Sequence, residues 1–189
     1  IQKRYPGIRG IGYVAHVPAG SVEEYERKAR VELGPDFAIH PRGQSGDRFV
    51  VQYVEPHGFN WRAIGFDLAS EESRRSAANR ARETGSPVMT APISLVQDPE
   101  HLPSVLLFVP TRGSEAGSDT ARGWVYGAIR IPDLILATGN RASLRDLRVT
   151  IADGKDVLFQ SPAELGVTEP AEFHSDLDVP VFGRTWRMS

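Results

Sequence analysis

Eight short runs rich in β-branched and aromatic residues punctuate this sequence, and only two stretches between them carry helical periodicity. The runs are Ile11 to Val17, Phe49 to Val54, Ile93 to Val96, Val105 to Val109, Trp124 to Ile131, Leu147 to Ala152, Val157 to Gln160 and Val181 to Trp186. Parallel strands would need a crossover of about ten or more residues between most of them. Room for such crossovers exists only in the first half, so the order predicts an α+β fold with antiparallel sheets.

The first helical stretch runs from Ser21 to Leu33, with Val22, Tyr25, Ala29 and Leu33 at helical spacing. Ser21 and Glu24 have the spacing of a capping box, and Gly34-Pro35 ends the segment. A second helix is expected after Ser70, with Glu71 and Glu72 at its positive end, Arg80 and Arg82 near its negative end and Gly85 as its stop. Its apolar face is mostly Ala77, Ala78 and Ala81. Such a face either lies close against whatever it covers or leaves the helix largely solvated. Asp153-Gly154-Lys155-Asp156 reads as a hairpin turn between Val149 to Ala152 and Val157 to Gln160. The polar, glycine-bearing stretch from Thr111 to Gly123 reads as a connection, which divides the chain into units 1–115 and 116–189.

Charge and composition narrow the function classes. Twenty-two Lys and Arg stand against 24 Asp and Glu, a net charge of −2, so no excess positive charge is available for a nucleic acid or an anionic membrane surface. The absence of cysteine removes thiol nucleophiles and zinc-thiolate sites. His16, His40, His57, His101 and His174 share no i,i+4 pairing, so no metal site is expected, and no cofactor motif stands out. Apolar runs stop at about five residues, far short of the roughly 20 needed to span a bilayer. The chain begins at Ile1 without signal-peptide features, which reads as a piece of a longer protein.

The remaining motifs are weak on their own. Gly7-Ile8-Arg9-Gly10-Ile11-Gly12 has the wrong spacing for a dinucleotide loop and precedes a strand. Gly113-Ser114-Glu115-Ala116-Gly117 places its serine one position too early for a nucleophile elbow. Asp67, Glu71 and Glu72 read as capping and dipole groups ahead of catalytic ones. Arg74, Arg75, Arg80 and Arg82 form a basic stripe interleaved with Glu71, Glu72 and Glu83; solvation is favoured over an anion-binding or ion-pair role. The segment from Tyr53 to Leu68 packs aromatic and polar residues densely, and reads either as one wall of a small-molecule pocket or as a loop packed by its own aromatics.

Taken in order, Tyr5 to Tyr13, Tyr53-Val54-Glu55-Pro56 followed by Asn60, Gly65-Phe66-Asp67-Leu68 with Ser70-Glu71, Arg74-Arg75, Ala81-Arg82 with Thr84-Gly85, and Ile93 to Gln97 resemble the CHASE domain. Gly123 to Arg130 extends the resemblance, which covers roughly Tyr5 to Leu134. It implies an extracytoplasmic (periplasmic) sensory module of an inner-membrane receptor, with a histidine kinase or a cyclic-nucleotide or cyclic-dinucleotide enzyme as output elsewhere. It implies a non-catalytic domain of two tandem PAS-like units, the membrane-distal one (1–115) holding a small-molecule ligand and the membrane-proximal one being 116–189. An N-terminal stalk helix, mostly absent from this sequence, would form a homodimer in the full receptor.

In plant cytokinin receptors, similar domains anchor an adenine on an acidic residue and line the pocket with a threonine that Thr90 matches. The loop His57-Gly58-Phe59-Asn60 carries no acid, so a different ligand is expected. The resemblance places the pocket between the distal sheet and its helix, lined by Val51, Tyr53, Asn60, Phe66, Thr90, Ile93, Leu95 and Leu107. The alternative is a protein-interaction or dimerisation module with no small-molecule ligand. A third reading is a small enzyme using Glu55, His57 and Asp67.

Overall fold

A computed structural model describes residues 5–95, 98–111, 122–138, 148–161 and 174–189. The period-two segments pair into two antiparallel sheets. The first contains β1 (Ile8–Val17), β2 (Arg48–Glu55), β3 (Val88–Met89), β4 (Ser104–Thr111) and β5 (Gly123–Arg130) in the order β2-β1-β5-β4-β3. The second contains β6 (Thr150–Asp153), β7 (Asp156–Gln160), β8 (Leu177–Val181) and β9 (Arg184–Met188) in the order β7-β6-β9-β8. Among the described residues four α-helices accompany them: α1 (Val22–Leu33), the single turn α2 (His57–Asn60), α3 (Glu72–Thr84) and α4 (Ile131–Thr138). The expected α+β class with antiparallel sheets holds.

The division at 115/116 does not coincide with the change of sheet. β5 was expected to open the second unit, yet it lies inside the first sheet, paired with β1 on one side and β4 on the other. Ser104 pairs with Arg130 and Thr111 with Gly123, so the chain turns back on itself across the connection, whose residues 112–121 lie outside the described set together with the Gly113 to Gly117 motif. The second sheet begins only after α4.

Three further local expectations are corrected. Ile93 makes a single bridge to Ser104 in place of a strand, while the sheet edge is the two-residue β3; Val96 lies outside the described residues. Val181 to Trp186 is two strands joined by a turn, with Phe182 at φ 44° and Gly183 at φ 83°, the left-handed pair that a two-residue hairpin loop requires. Ser21 makes no side-chain cap; its amide donates to the Pro18 carbonyl at 2.8 Å, and Glu24 pairs with Lys28 at 2.7 Å. The hairpin at Gly154 (φ 59°) forms as expected.

The first sheet carries cover on both faces. α3 lies on the front, where Ala77, Ala78 and Ala81 are buried against Val14, Phe49, Val51, Phe108 and Trp124. The alanines leave so little side-chain volume that Trp124 Nε1 donates directly to the Ala78 carbonyl at 2.9 Å. On the back, α1 covers β1 and β2 through Ala29, Val17 and Val50. The second sheet and α4 cover β4 and β5 through Ile151, Leu158, Phe159, Trp186 and Ile131, packed on Val105 and Met89. The C-terminal hairpin also reaches the edge of the first sheet: Met89 N donates to the Phe182 carbonyl at 3.0 Å and Arg80 Nη1 to the Gly183 carbonyl at 3.3 Å.

Close packing of α3 makes a direct prediction. Ala78 is fully buried, so Ala78→Leu must push the helix off the sheet and break the Trp124 bond, at a cost of about 1–3 kcal/mol in urea unfolding. Ser76→Ala, on an exposed position of the same helix, should change stability by less than about 0.5 kcal/mol.

Candidate functional site

The dense segment from Tyr53 to Leu68 is shaped by a β-bulge. Tyr13 pairs with Tyr53 but the next residue, Val14, pairs with Val51, so Gln52 is an extra residue in β2. One extra residue reverses the alternation. Val51 therefore faces α3 in the front layer, whereas Tyr53 sits opposite Tyr13 on the back, 55% exposed, its hydroxyl donating to Glu55 Oε1 at 3.0 Å. Tyr53 is not part of a front-face site.

Past the strand, Glu55 Oε2 accepts from the His57 amide at 3.2 Å, and the chain closes a helical turn ending at Asn60. Asn60 is fully buried; its amide nitrogen donates to the Arg9 and Pro56 carbonyls at 3.1 and 2.8 Å. It fits there because Gly10 has no side chain: a Cβ on Gly10 would lie 3.3 Å from the Asn60 amide nitrogen. Asp67 is also fully buried. Its Oδ1 accepts from Phe49 N at 2.9 Å and Ala69 N at 3.0 Å, so it caps the short 3-10 turn Leu68–Ser70 that precedes α3 and not the start of α3 itself. Glu55 and Asp67 thus accept from backbone amides, with the Tyr53 hydroxyl also on Glu55 and Arg48 3.6 Å from Asp67 Oδ2, and nothing in these contacts resembles an acid-base pair.

Of the other expected lining residues, Leu95 is buried in the front layer with Val51, and Phe66 and Ile93 pack against it. Thr90 is fully buried and acts as a strand extension: its amide donates to the Leu106 carbonyl at 2.9 Å, and its Oγ1 accepts from Leu106 N at 3.0 Å. Leu107 is a correction. Leu106 and Phe108 face α3, so Leu107 one residue away faces the second sheet and packs among Val105, Ile129 and Leu136.

The layer beneath α3 has two unlike halves. Under the C-terminal half it is a packed aromatic cluster, with Phe49 and Phe108 at 4.6 and 6.2 Å from the Trp124 ring. Under the N-terminal half it holds Arg74 and Tyr126, which are 3% and 4% exposed. Arg74 belongs to the stripe expected to be solvated; burial corrects that. It shares a helix face with Ala77, Ala78 and Ala81 at i+3, i+4 and i+7.

Arg74 Nη2 donates to the Ser94 carbonyl at 3.0 Å, and its guanidinium carbon lies 5.3 Å from the centre of the Phe66 ring. Glu71 Oε2 stands 3.1 Å from Nε, at an angle that makes no hydrogen bond. Ser94 is itself fixed, because Ile93 and Ser104 exchange backbone hydrogen bonds of 2.8 and 3.0 Å. Beyond it, Arg130 clamps the returning chain through Asp98 and Glu100 at 2.6 and 2.7 Å.

Tyr126 lies over Gly12, where a Cβ would come within 2.7 Å of its ring. The Tyr126 hydroxyl and the Arg74 guanidinium lie close enough to feel each other's charge. Burial pushes that hydroxyl far above its ordinary pKa, with Arg74 opposing. Burial likewise lowers the pKa of Arg74, with Glu71 and Tyr126 opposing. Two donors, one cationic and one neutral, therefore meet in a layer otherwise built from alanine, valine, leucine and aromatic side chains.

Thr90→Val keeps the shape but leaves the Leu106 amide without its acceptor, and should cost about 1–3 kcal/mol in denaturant unfolding; Thr90→Ser should recover most of it. For Tyr126 the folded pKa lies above the unfolded value of 10. Its contribution is fully present below pH 10 and is lost as pH rises toward the folded value. Urea midpoints at pH 9 and 11 should therefore diverge less in Tyr126→Phe than in the unmodified chain.

Among the described residues no helix is long and apolar enough to cross a membrane, and no group of three or more His, Asp or Glu side chains could hold a metal ion. No curated protein matches the chain at a significant level. The CHASE domain family matches residues 1–163, which contain β1 to β7 and the entire layer beneath α3. CHASE domains are extracytoplasmic sensory modules of receptors and are not catalytic. On that match, and with the front layer placed inside it, this chain belongs to the CHASE domain family.

Proposed function

We propose that this chain is the ligand-sensing part of a transmembrane signalling receptor, and that it binds a small molecule between the first sheet and the N-terminal half of α3. The observation that carries the reading is the burial of Arg74 in the layer that also holds Tyr126: a guanidinium with one well-formed acceptor and an unbonded Nε, in a domain of a sensory family. A layer serving only stability would be filled with apolar side chains, as it is around Trp124. Val51, Phe66, Ile93 and Leu95 supply apolar walls, while Asn60 and Thr90 hold the surrounding backbone.

Transmission runs through α3. Arg74 stands in its first turn and Arg80 binds the Gly183 carbonyl of the C-terminal hairpin, six residues or about 9 Å further along the axis. A ligand that shifts the first turn moves a rigid rod whose other half is attached to the second sheet. In the receptor this displacement reaches an output enzyme, a histidine kinase or a cyclic-nucleotide or cyclic-dinucleotide enzyme, through a homodimer formed by a stalk helix. In this reading the two sheets would take the parts of the two PAS-like units that the resemblance implies. A ligand drives such a change only as far as it prefers one arrangement over the other.

A thermal-shift screen against adenines, amino acids, organic acids and amines tests the reading. A ligand at a hundred times its Kd adds about 2.7 kcal/mol, a rise in Tm on the order of 5–10 °C for a chain of this size. Tyr53→Ala should leave that rise unchanged, since Tyr53 lies on the opposite face, and Ile93→Trp should abolish it. A folded chain that no compound stabilises, or a rise indifferent to Ile93→Trp, would turn the assignment toward an interaction module.

A further inference from the structure

We infer that the ligand of this site is an organic monoanion, a carboxylate on a flat apolar body, held by Arg74 and Tyr126. The inference rests on the sensor reading and adds the charge and chemical class of what is sensed.

Arg74 is placed where two physical terms oppose it. With Glu71 as N-cap, Arg74 is the third residue of α3, and a cation in the first turn faces the positive end of the helix dipole. Its guanidinium is also withdrawn from water. The neighbouring anion, Glu71, is 44% exposed and does not align with Nε for a hydrogen bond. Five N–H donors on the fork thus meet one well-formed acceptor, the Ser94 carbonyl. Arg75, one residue away, shows what the helix does with a guanidinium it need not bury: it is 48% exposed and pairs with Glu72 and with the Ala69 carbonyl.

The surroundings define the ligand. A carboxylate offers two oxygens in the geometry that a guanidinium fork matches, and one of them can also accept from the hydroxyl of Tyr126, buried in the same layer. One buried cation, already partly offset by the half-exposed Glu71 3.1 Å away, can offset at most a single further negative charge, not the two of a phosphate monoester. Phe66 lies under the guanidinium, and Ile93, Leu95 and Val51 line the same layer, so the body attached to the carboxylate is apolar and planar enough to lie against an aromatic face.

Paired series test this: aliphatic and aromatic monocarboxylates of two to eight carbons, their primary amides, and the matching amines, each titrated into the 189-residue chain and followed by thermal shift and calorimetry. The expected result is a saturable rise in Tm for members of the acid series, with amides and amines at least tenfold weaker. Arg74→Gln should weaken the best acid at least tenfold, Arg74→Lys several-fold and Tyr126→Phe several-fold, while Arg75→Gln, which changes net charge equally, leaves it unchanged. Without ligand, Arg74→Met should raise Tm, which a guanidinium retained only to staple Ser94 would not allow.

Amides or amines binding as tightly as the acids, with Arg74→Gln and Tyr126→Phe neutral, would overturn the anion assignment and leave the sensor reading standing. A folded chain that responds to no acid, amide or amine would overturn both.

Discussion

The close approach of α3 to the five-stranded sheet is the constraint on which the rest of this structure depends. Ala77, Ala78 and Ala81 put the helix backbone near enough for an indole on β5 to bond to it directly. At that separation only flat or small groups fit between the layers, and any long side chain on the same face must lie along the sheet. Arg74 is the long side chain on that face. Its position converts a packing device into a chemical one, because the guanidinium lies along the layer, over Phe66, with its end at Ser94.

Much of this was legible from spacing alone. The antiparallel α+β class follows from how many short runs succeed one another with no room for crossovers, and the stop of α3 at Gly85 follows from the left-handed φ of 65° found there. Two features were hidden for the same reason, which is that period two carries no absolute phase. A single extra residue, Gln52, turns Tyr53 to the back of the sheet, and an unmarked choice of phase on β4 decides whether Leu106 or Leu107 faces α3. The placement of β5 was hidden because pairing order is a property of the assembled sheet, while the polar connection before it looks like any interdomain stretch.

The burial of Arg74 is marked in the sequence by its helical phase and masked by its charge. The positions 74, 77, 78 and 81 repeat at i, i+3, i+4 and i+7, so the arginine lies on the buried face by the same arithmetic that buries the alanines. Grouping it by charge with Arg75, Arg80 and Arg82 obscures that arithmetic, since those three occupy other faces and find their partners at the surface or at the second sheet. A charged residue in phase with an alanine stripe is a local rule broken in a specific place, and such places are where sites concentrate.

The two halves of α3 also explain how a binding event could be felt at a distance without a mobile hinge. The aromatic cluster around Trp124 fixes the C-terminal half of the helix to the sheet, and Arg80 fixes it to the hairpin turn at Gly183. The N-terminal half lacks an equivalent plug: Ser73 Oγ and Arg74 Nε are buried without hydrogen bonds, and the first turn is held mainly by Ser94 and by ion pairs to Glu71 and Glu72. Stability is therefore distributed unevenly along one rigid rod. On the proposed function, a ligand that satisfies the donors at the loose end would change how that end sits, and because the other end is bonded to the C-terminal hairpin, the change would reach the second sheet.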